Sequence, residues 1–168
     1  MKNRFLIKTI FALALLGAGC VERDLSLPTA EDATAAYQYS GTFEAELSGN
    51  VLVLTVVQPY SQLRRGGSIW AKVGPYVLLF TEQTRDLFIG YGGLAAVRVV
   101  TTTSSGQEIA RATLLRAGLN ELTWKRALNI AGIARRDGST KVPTLEDLIE
   151  WGEDHTEFEY DPRYIRRR

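Results

Sequence analysis

The chain has 168 residues, of which 45% are hydrophobic and 23% charged, and this composition excludes a polytopic membrane protein or a disordered chain. The formal net charge is +1, which is too close to neutral for a nucleic-acid-binding surface with its concentrated basic residues. Length and charge therefore predict one folded domain and no nucleic-acid partner.

The first twenty residues have the pattern of a targeting segment. Lys2, Arg4 and Lys8 precede or flank an apolar run over residues 9–16, and small residues follow before Cys20. The run is too short for a permanent membrane-spanning helix, which needs about 20 apolar residues. We therefore expect a secretory signal peptide over residues 1–19 and exclude it from the fold.

Cys20 is the only cysteine in the sequence, so an exported chain cannot use it for an internal disulfide. Residues 16–20, Leu-Gly-Ala-Gly-Cys, resemble the lipobox of bacterial lipoproteins. The resemblance implies cleavage before Cys20, a diacylglyceryl thioether on its sulfur and a fatty acid such as palmitate on its amine. Val21, rather than an aspartate, follows the cysteine, and the same resemblance then favours the outer membrane over the inner membrane.

The segment after Cys20 mixes charged residues, small residues and Pro28 without a sustained period. It predicts a lipidated N-terminus and a flexible tether over residues 20–36, with a short helix near residues 31–36 as a further option.

From Tyr37 onward the pattern predicts a β-rich domain over residues 37–162. Apolar and polar residues alternate over residues 37–48, Gly49-Asn50 supplies a two-residue turn, and a β-branched run follows, which together predict a hairpin. The strands expected after the first one cover residues 51–57, 68–73, 76–81, 87–91, 94–103 and 107–115. About seven to eight short strands predict a mainly β fold, a single antiparallel β-sandwich of immunoglobulin-like or similar type.

The stretch over residues 121–135 fits two periods, so strand and helix both stay open there. A strand through at least Trp124 is favoured by apolar residues two apart, while Leu128, Ala131 and Ala134 fit one helical face. Residues 118–124, Gly-Leu-Asn-Glu-Leu-Thr-Trp, resemble the approach to the last strand of some bacterial immunoglobulin-like modules. That resemblance implies a strand carrying Trp124.

The C-terminal part predicts a short helix and an edge strand. Thr144 and Asp147 match a capping box, which predicts a helix over residues 145–151 that ends at Gly152. Alternation over residues 156–160 predicts the strand, and a basic tail at residues 163–168 closes the chain.

Few residues suggest chemistry. His155, the only histidine, lies in an acidic stretch that we interpret as a solvated face, so we expect no metal site. Residues 90–95 match the Gly-x-Gly-x-x-Ala form of a dinucleotide-binding loop, but the β-forming residues 97–103 follow instead of a helix. Those glycines are better explained by a turn or bulge, and we expect no cofactor and no enzymatic activity.

The sequence therefore predicts a lipid-anchored accessory protein of the cell envelope, facing the periplasm or the surface, that serves as a structural or protein-binding subunit of an envelope assembly. The alternative is a lipoprotein of the outer membrane that binds a glycan or small ligand. Candidate contacts are a basic loop, nearby aromatic residues and the basic tail: Arg64, Arg65, Trp70, Tyr91, Arg166, Arg167 and Arg168.

Overall fold

The computed structural model describes residues 24–37 and 41–165, with the backbone alone at residues 65 and 66, and it shows an α/β fold. In the described part of the chain seven helices accompany one mixed sheet of five strands. The prediction of a mainly β, antiparallel sandwich of seven to eight strands is therefore wrong.

The five strands lie in the sheet in chain order. They are β1 (Phe43–Ser48), β2 (Val51–Val57), β3 (Ala96–Thr102), β4 (Glu108–Leu115) and β5 (Glu157–Tyr160). Neighbouring strands are antiparallel except β2 and β3, which are parallel. A parallel pair cannot be joined by a tight turn, so the chain between these two strands has to cross over, and helices fill that crossover.

The helices are α1 (Ala30–Tyr37), α2 (Tyr60–Val73), α3 (Tyr76–Leu79), α4 (Glu82–Gly90), α5 (Glu121–Asp137), α6 (Pro143–His155) and α7 (Pro162–Ile165). Gly67 has a φ of +57°, so α2 consists of two helical pieces joined at this residue. A short 3₁₀ turn at Arg116–Gly118 connects β4 to α5.

Several local predictions are confirmed. The β1–β2 hairpin pairs Ser48 with Val51 through a turn in which Gly49 has a φ of +63°. β3 and β4 form the second expected hairpin, and β5 is the expected edge strand beside β4. The predicted helix at residues 145–151 lies within α6, but its expected end at Gly152 is wrong, because α6 continues to His155.

The predicted strands at residues 68–73, 76–81 and 87–91 are wrong, because these segments belong to α2, α3 and α4. An apolar run of five or six residues is too short to separate a period of two from a period of 3.6. A helix cap decides the structure at α4, where the Thr81 hydroxyl accepts a hydrogen bond from the Thr84 N–H at 3.2 Å.

The strand expected through Trp124 is also wrong, since residues 121–135 lie in α5. Asn120 and Thr123 form a reciprocal capping box: the Asn120 side chain accepts from the Thr123 N–H at 2.9 Å, and the Thr123 hydroxyl accepts from the Asn120 N–H at 2.8 Å. This cap starts a helix where the immunoglobulin-like resemblance implied a strand.

The main core lies between the sheet and the helices. It includes Leu52 and Leu54 of β2, Val97 and Val99 of β3, and apolar residues of α1 through α6. Along β2 the even-numbered residues are buried and the odd-numbered ones are half-buried, which is the burial expected of a strand with one face in the core. A second, smaller cluster contains Ala71, Ile109 and Ala110, near α7. In the described part of the chain no helix has the length and apolar character needed to cross a membrane.

Candidate functional site

The N-terminal segment, residues 24–29, lies against the turn that follows α4. The Gly93 N–H donates to the Ser26 carbonyl at 2.8 Å, and the Gly92 N–H donates to Asp24 Oδ2 at 3.2 Å. The Ser26 N–H also donates to Asp24, and these bonds hold the pKa of that carboxyl below its usual range. The segment is thus fixed through both backbone and side-chain groups.

Glycine is required in this turn because the two chain segments approach very closely. A Cβ at Gly92 would lie 2.3 Å from the Asp24 carbonyl oxygen, and one at Gly93 would lie 2.3 Å from the Leu25 carbonyl oxygen. Strand β3, rather than a helix, follows the turn. Gly92 and Gly93 therefore make room for the N-terminal segment, as part of a turn and not of a dinucleotide-binding loop.

The chain continues from this segment directly into the core. Thr29 and Asp32 cap α1 reciprocally, with N–H to side-chain oxygen distances of 2.9 and 3.0 Å. Ala33 and Tyr37 of α1 are buried, and the Tyr37 hydroxyl lies 2.7 Å from that of Thr84 in α4. The segment expected as a tether over residues 20–36 is therefore packed on the domain from Asp24 onward.

Arg116 fixes the end of α4 beneath the N-terminal segment. Its guanidinium donates hydrogen bonds to the carbonyls of Phe88, Tyr91 and Leu94, the last at 2.6 Å, and it lies 5.3 Å from the centre of the Phe88 ring. One side chain thus connects the last turn of α4, the glycine turn and the start of β3, which makes the seat of the N-terminal segment rigid.

A groove of about 700 Å³ lies between α5 and α6, and we refer to it as the α5–α6 groove. It is lined by Thr123, Arg126, Asn129, Ile130, Asp147, Glu150, Trp151, Asp154 and His155. The contributing residues of α6 are three and four positions apart, so they share one face of that helix. Three of them carry carboxylates, which gives this side of the groove a negative charge.

Trp151 forms part of the groove wall. It is only 8% exposed, and its indole N–H has no hydrogen-bond partner among the described residues. The His155 ring stacks on it with 3.9 Å between ring centres, and the Arg126 guanidinium carbon lies 4.8 Å from the ring centre. The wall therefore combines carboxylates, which accept hydrogen bonds from a cation, with an aromatic ring that His155 and Arg126 cover.

The opposite side of α6 is tied to the rest of the domain. Lys72 of α2 contacts Glu153 at 2.9 Å and lies 4.9 Å from the centre of the Tyr160 ring. The hydroxyls of Tyr76 and Tyr160 are 2.5 Å apart, and burial raises the pKa of Tyr76 to about 12 and raises that of Tyr160 as well. These contacts connect α2, α3, α6 and β5.

The contact residues predicted from the sequence do not form one site. Arg64 is exposed on α2, where a loop over residues 61–67 was expected, and the backbone of Arg65 belongs to the same helix. Trp70 is half-buried on α2, and its carbonyl accepts a hydrogen bond from the Gln58 amide at 2.6 Å. Tyr91 is half-buried at the end of α4, where Arg116 binds its carbonyl.

Three predictions lie outside the described residues: the signal peptide over residues 1–19, the lipidation of Cys20 and the contacts of Arg166, Arg167 and Arg168. The described chain ends at Ile165, which lines a cavity of about 450 Å³ between α2 and α6 together with Glu146, Glu150 and Glu153.

The acidic stretch around His155 was predicted to be a solvated face, and the groove was not predicted from the sequence. Asp147, Glu150, Trp151, Asp154 and His155 have the spacing of one helical face, but the predicted helix stopped at residue 151. Extending that helix to His155 would have placed all five together. Because a strand was predicted through Trp124, the residues that α5 contributes to the groove could not be recognised.

Among the residues that the structure describes, no group of histidine, cysteine, aspartate or glutamate side chains could hold a metal ion. No protein-family model, curated protein or solved structure matches this chain. Function must therefore be inferred from the geometry and from the N-terminal motif.

Proposed function

We propose that this chain is a lipid-anchored accessory protein of the bacterial cell envelope that binds a basic segment of a partner protein in the α5–α6 groove. The observation that carries the proposal is the composition of the groove wall, where three exposed carboxylates share one face of α6 beside the Trp151 ring.

The charges of the groove determine the kind of ligand that fits. Asp147, Glu150 and Asp154 are exposed and accept hydrogen bonds from lysine or arginine side chains, with the strength of charge-assisted bonds. A peptide segment with basic side chains matches this charge.

The size of the groove agrees with this ligand. About 700 Å³ lies within the range of sites that enclose most of a ligand of a few residues. Arg126, on the opposite wall, is available for a carboxylate or carbonyl of the partner, because its guanidinium rests on the Trp151 ring. We infer a short segment of the partner, rather than a broad surface, as the bound element.

The aromatic residues favour this ligand over a glycan. A sugar-stacking platform needs exposed rings, yet Tyr76, Phe88 and Trp124 are buried in the core, and Trp70 and Tyr91 are half-buried. None of these rings therefore forms an exposed platform for a sugar, and the exposed rings of the described surface, Tyr60 and Phe158, lie elsewhere on α2 and β5.

The anchor is proposed on the lipobox-like residues 16–20, and we place the protein at the outer membrane on the same grounds. The packing of the N-terminal segment supports this assignment, because Asp24, four positions after the proposed acylation site, is hydrogen-bonded to the domain. A lipid anchor at Cys20 would then hold the groove near the membrane, where envelope assemblies form.

Neutralising two carboxylates of the groove tests the proposal. We expect Glu150→Gln with Asp154→Asn to weaken partner binding about two- to thirtyfold, because each of the two exposed ion pairs contributes about 0.2–1 kcal/mol. Partners are captured by gentle crosslinking of intact envelopes and identified and quantified by mass spectrometry.

The matched control is Glu44→Gln with Glu46→Gln, which removes the same charge from exposed positions of β1. Loss of the same partner from both double variants would point to net charge rather than the groove, and retention in the groove variant would contradict the proposal. A Cys20→Ala variant that remains at the membrane would contradict the anchor.

A further inference from the structure

We infer that the domain lies directly on the phospholipid surface and inserts the aliphatic side chains that surround the end of α4 into the bilayer interface. This inference rests on the lipid anchor proposed above. It adds the orientation of the domain and a second contact with the membrane, which the anchor alone does not provide.

The length of chain between the anchor and the domain limits the orientation. Asp24 is hydrogen-bonded to the glycine turn, so only residues 21–23 separate it from Cys20. Four residue steps span at most about 14 Å when fully extended. A domain of this size is about 35 Å across. Because the linker is much shorter than the domain, the side of the domain opposite Asp24 cannot reach the membrane.

The end of the domain near Asp24, which the linker holds close to the membrane, carries exposed aliphatic residues. Leu25 (75% exposed) belongs to the N-terminal segment, and Ile89 (74%) lies on the last turn of α4, just before the glycine turn. Leu122 (76%) lies on the first turn of α5. Its neighbours Glu121 and Trp124 line a cavity of about 520 Å³ together with Ile89. These are the most exposed aliphatic side chains of the described residues, and their burial in lipid is favourable.

The charges around these aliphatic residues favour insertion into a zwitterionic membrane surface over an anionic one. Arg85 contacts Glu82 at 2.5 Å and Asp86 at 3.2 Å, and Lys125 contacts Glu121 at 2.9 Å. Because these cations already have carboxylate partners, they offer little attraction to acidic headgroups. Insertion of the aliphatic residues is therefore expected to depend weakly on salt and on lipid charge.

Fluorescent probes at single cysteines test the inference in the acylated, full-length protein. Cys20 is the only native cysteine and its sulfur carries the proposed lipid, so Ile89→Cys and Leu122→Cys can be labelled singly with an environment-sensitive nitrobenzoxadiazole dye. The protein is reconstituted into phosphatidylcholine vesicles and, separately, into vesicles of phosphatidylethanolamine and phosphatidylglycerol. Val142→Cys is the matched control, because it is exposed beyond the opposite end of α5, a helix about 25 Å long.

We expect a blue shift and quenching by brominated lipids at positions 89 and 122 in both kinds of vesicle, and neither effect at position 142. Equal responses at all three positions, or a response only with phosphatidylglycerol, would overturn the inference. Flotation of the vesicles separates the two proposals: protein that floats without these responses contradicts only the orientation, and protein that fails to float contradicts the anchor and the orientation together.

Discussion

A Gly152→Ala substitution is expected to destabilise the domain by about 1–3 kcal/mol, the usual cost of overpacking a core. Gly152 lies in α6 against the ring of Tyr76, and a Cβ there would lie 2.5 Å from two ring carbons. Tyr76 is fully buried, and its hydroxyl bonds that of Tyr160, so the ring cannot move without losing that bond. The contact between α3 and α6 should therefore separate.

Gly132→Ala is the matched control for this prediction. Gly132 is also in a helix interior, but a Cβ there would meet no atom within 4 Å. Alanine stabilises a helix by about 1 kcal/mol relative to glycine, so Gly132→Ala should raise the free energy of unfolding by up to that amount. Urea unfolding measures both variants, and a shift of the two midpoints in the same direction would be inconsistent with the packing described for α6.

A Gly93→Ala substitution is expected to release the N-terminal segment from the domain. The added Cβ would lie 2.3 Å from the Leu25 carbonyl oxygen and 2.8 Å from that of Ser26, and both are backbone atoms. The segment has to move away, which breaks the hydrogen bond from the Gly93 N–H to Ser26. We expect thermolysin to cleave before Leu25 or Leu27 about ten times faster. Proteolysis follows the population of the opened form, and a loss of about 1.4 kcal/mol in the free energy of opening raises that population tenfold.

Gly90→Ala provides the comparison, three residues upstream on the same turn. Nothing lies within 4 Å of a Cβ at Gly90, so the substitution should leave the cleavage rate of the N-terminal segment unchanged. If Gly93→Ala and Gly90→Ala are cleaved at the wild-type rate alike, the segment does not depend on the close approach at the turn.

The sequence predicts those elements of this fold that are encoded locally. The β1–β2 hairpin has clean alternation and a Gly49 turn, and β3 is dense in β-branched residues before the turn at Gly106, so local pattern and tertiary structure agree there. The α6 helix was also predicted, and Pro143 stands at its start. The expected capping box of Thr144 and Asp147 is wrong, because Thr144 lies inside the helix and its hydroxyl donates to the Lys141 carbonyl.

The crossover helices could not be predicted in the same way. Residues 68–91 form three helices, of which α3 has only four residues and α2 is interrupted at Gly67. Such short helices depend on packing against the sheet rather than on propensity, since isolated helices of that length are unstable. Without knowledge that β2 and β3 are parallel, nothing in the sequence requires a crossover there.

The candidate site was predicted only in part. The acidic residues of α6 were recognised as a surface, but the groove also needs Arg126 and Trp151, whose proximity depends on α5 being a helix. The seat of the N-terminal segment depends on the pairing of Asp24 with Gly92 across a long stretch of chain, and no local pattern encodes such a contact. The glycines of residues 90–95 were predicted to form a turn or bulge, but the segment that packs against them could not be identified from the sequence.

The packing of the N-terminal segment on the domain, from which the position of the protein at the membrane follows, is tested most directly by hydrogen exchange at the Gly93 amide. This N–H donates to the Ser26 carbonyl, whereas a free turn would leave it open to water. We predict that in the full-length protein it exchanges slowly, together with the amides of β3, and that deletion of residues 24–29 abolishes this protection. Exchange of Gly93 at the rate of an unprotected glycine, while β3 remains protected, would show that the segment is a free tether and would contradict the close seating of the domain on its anchor.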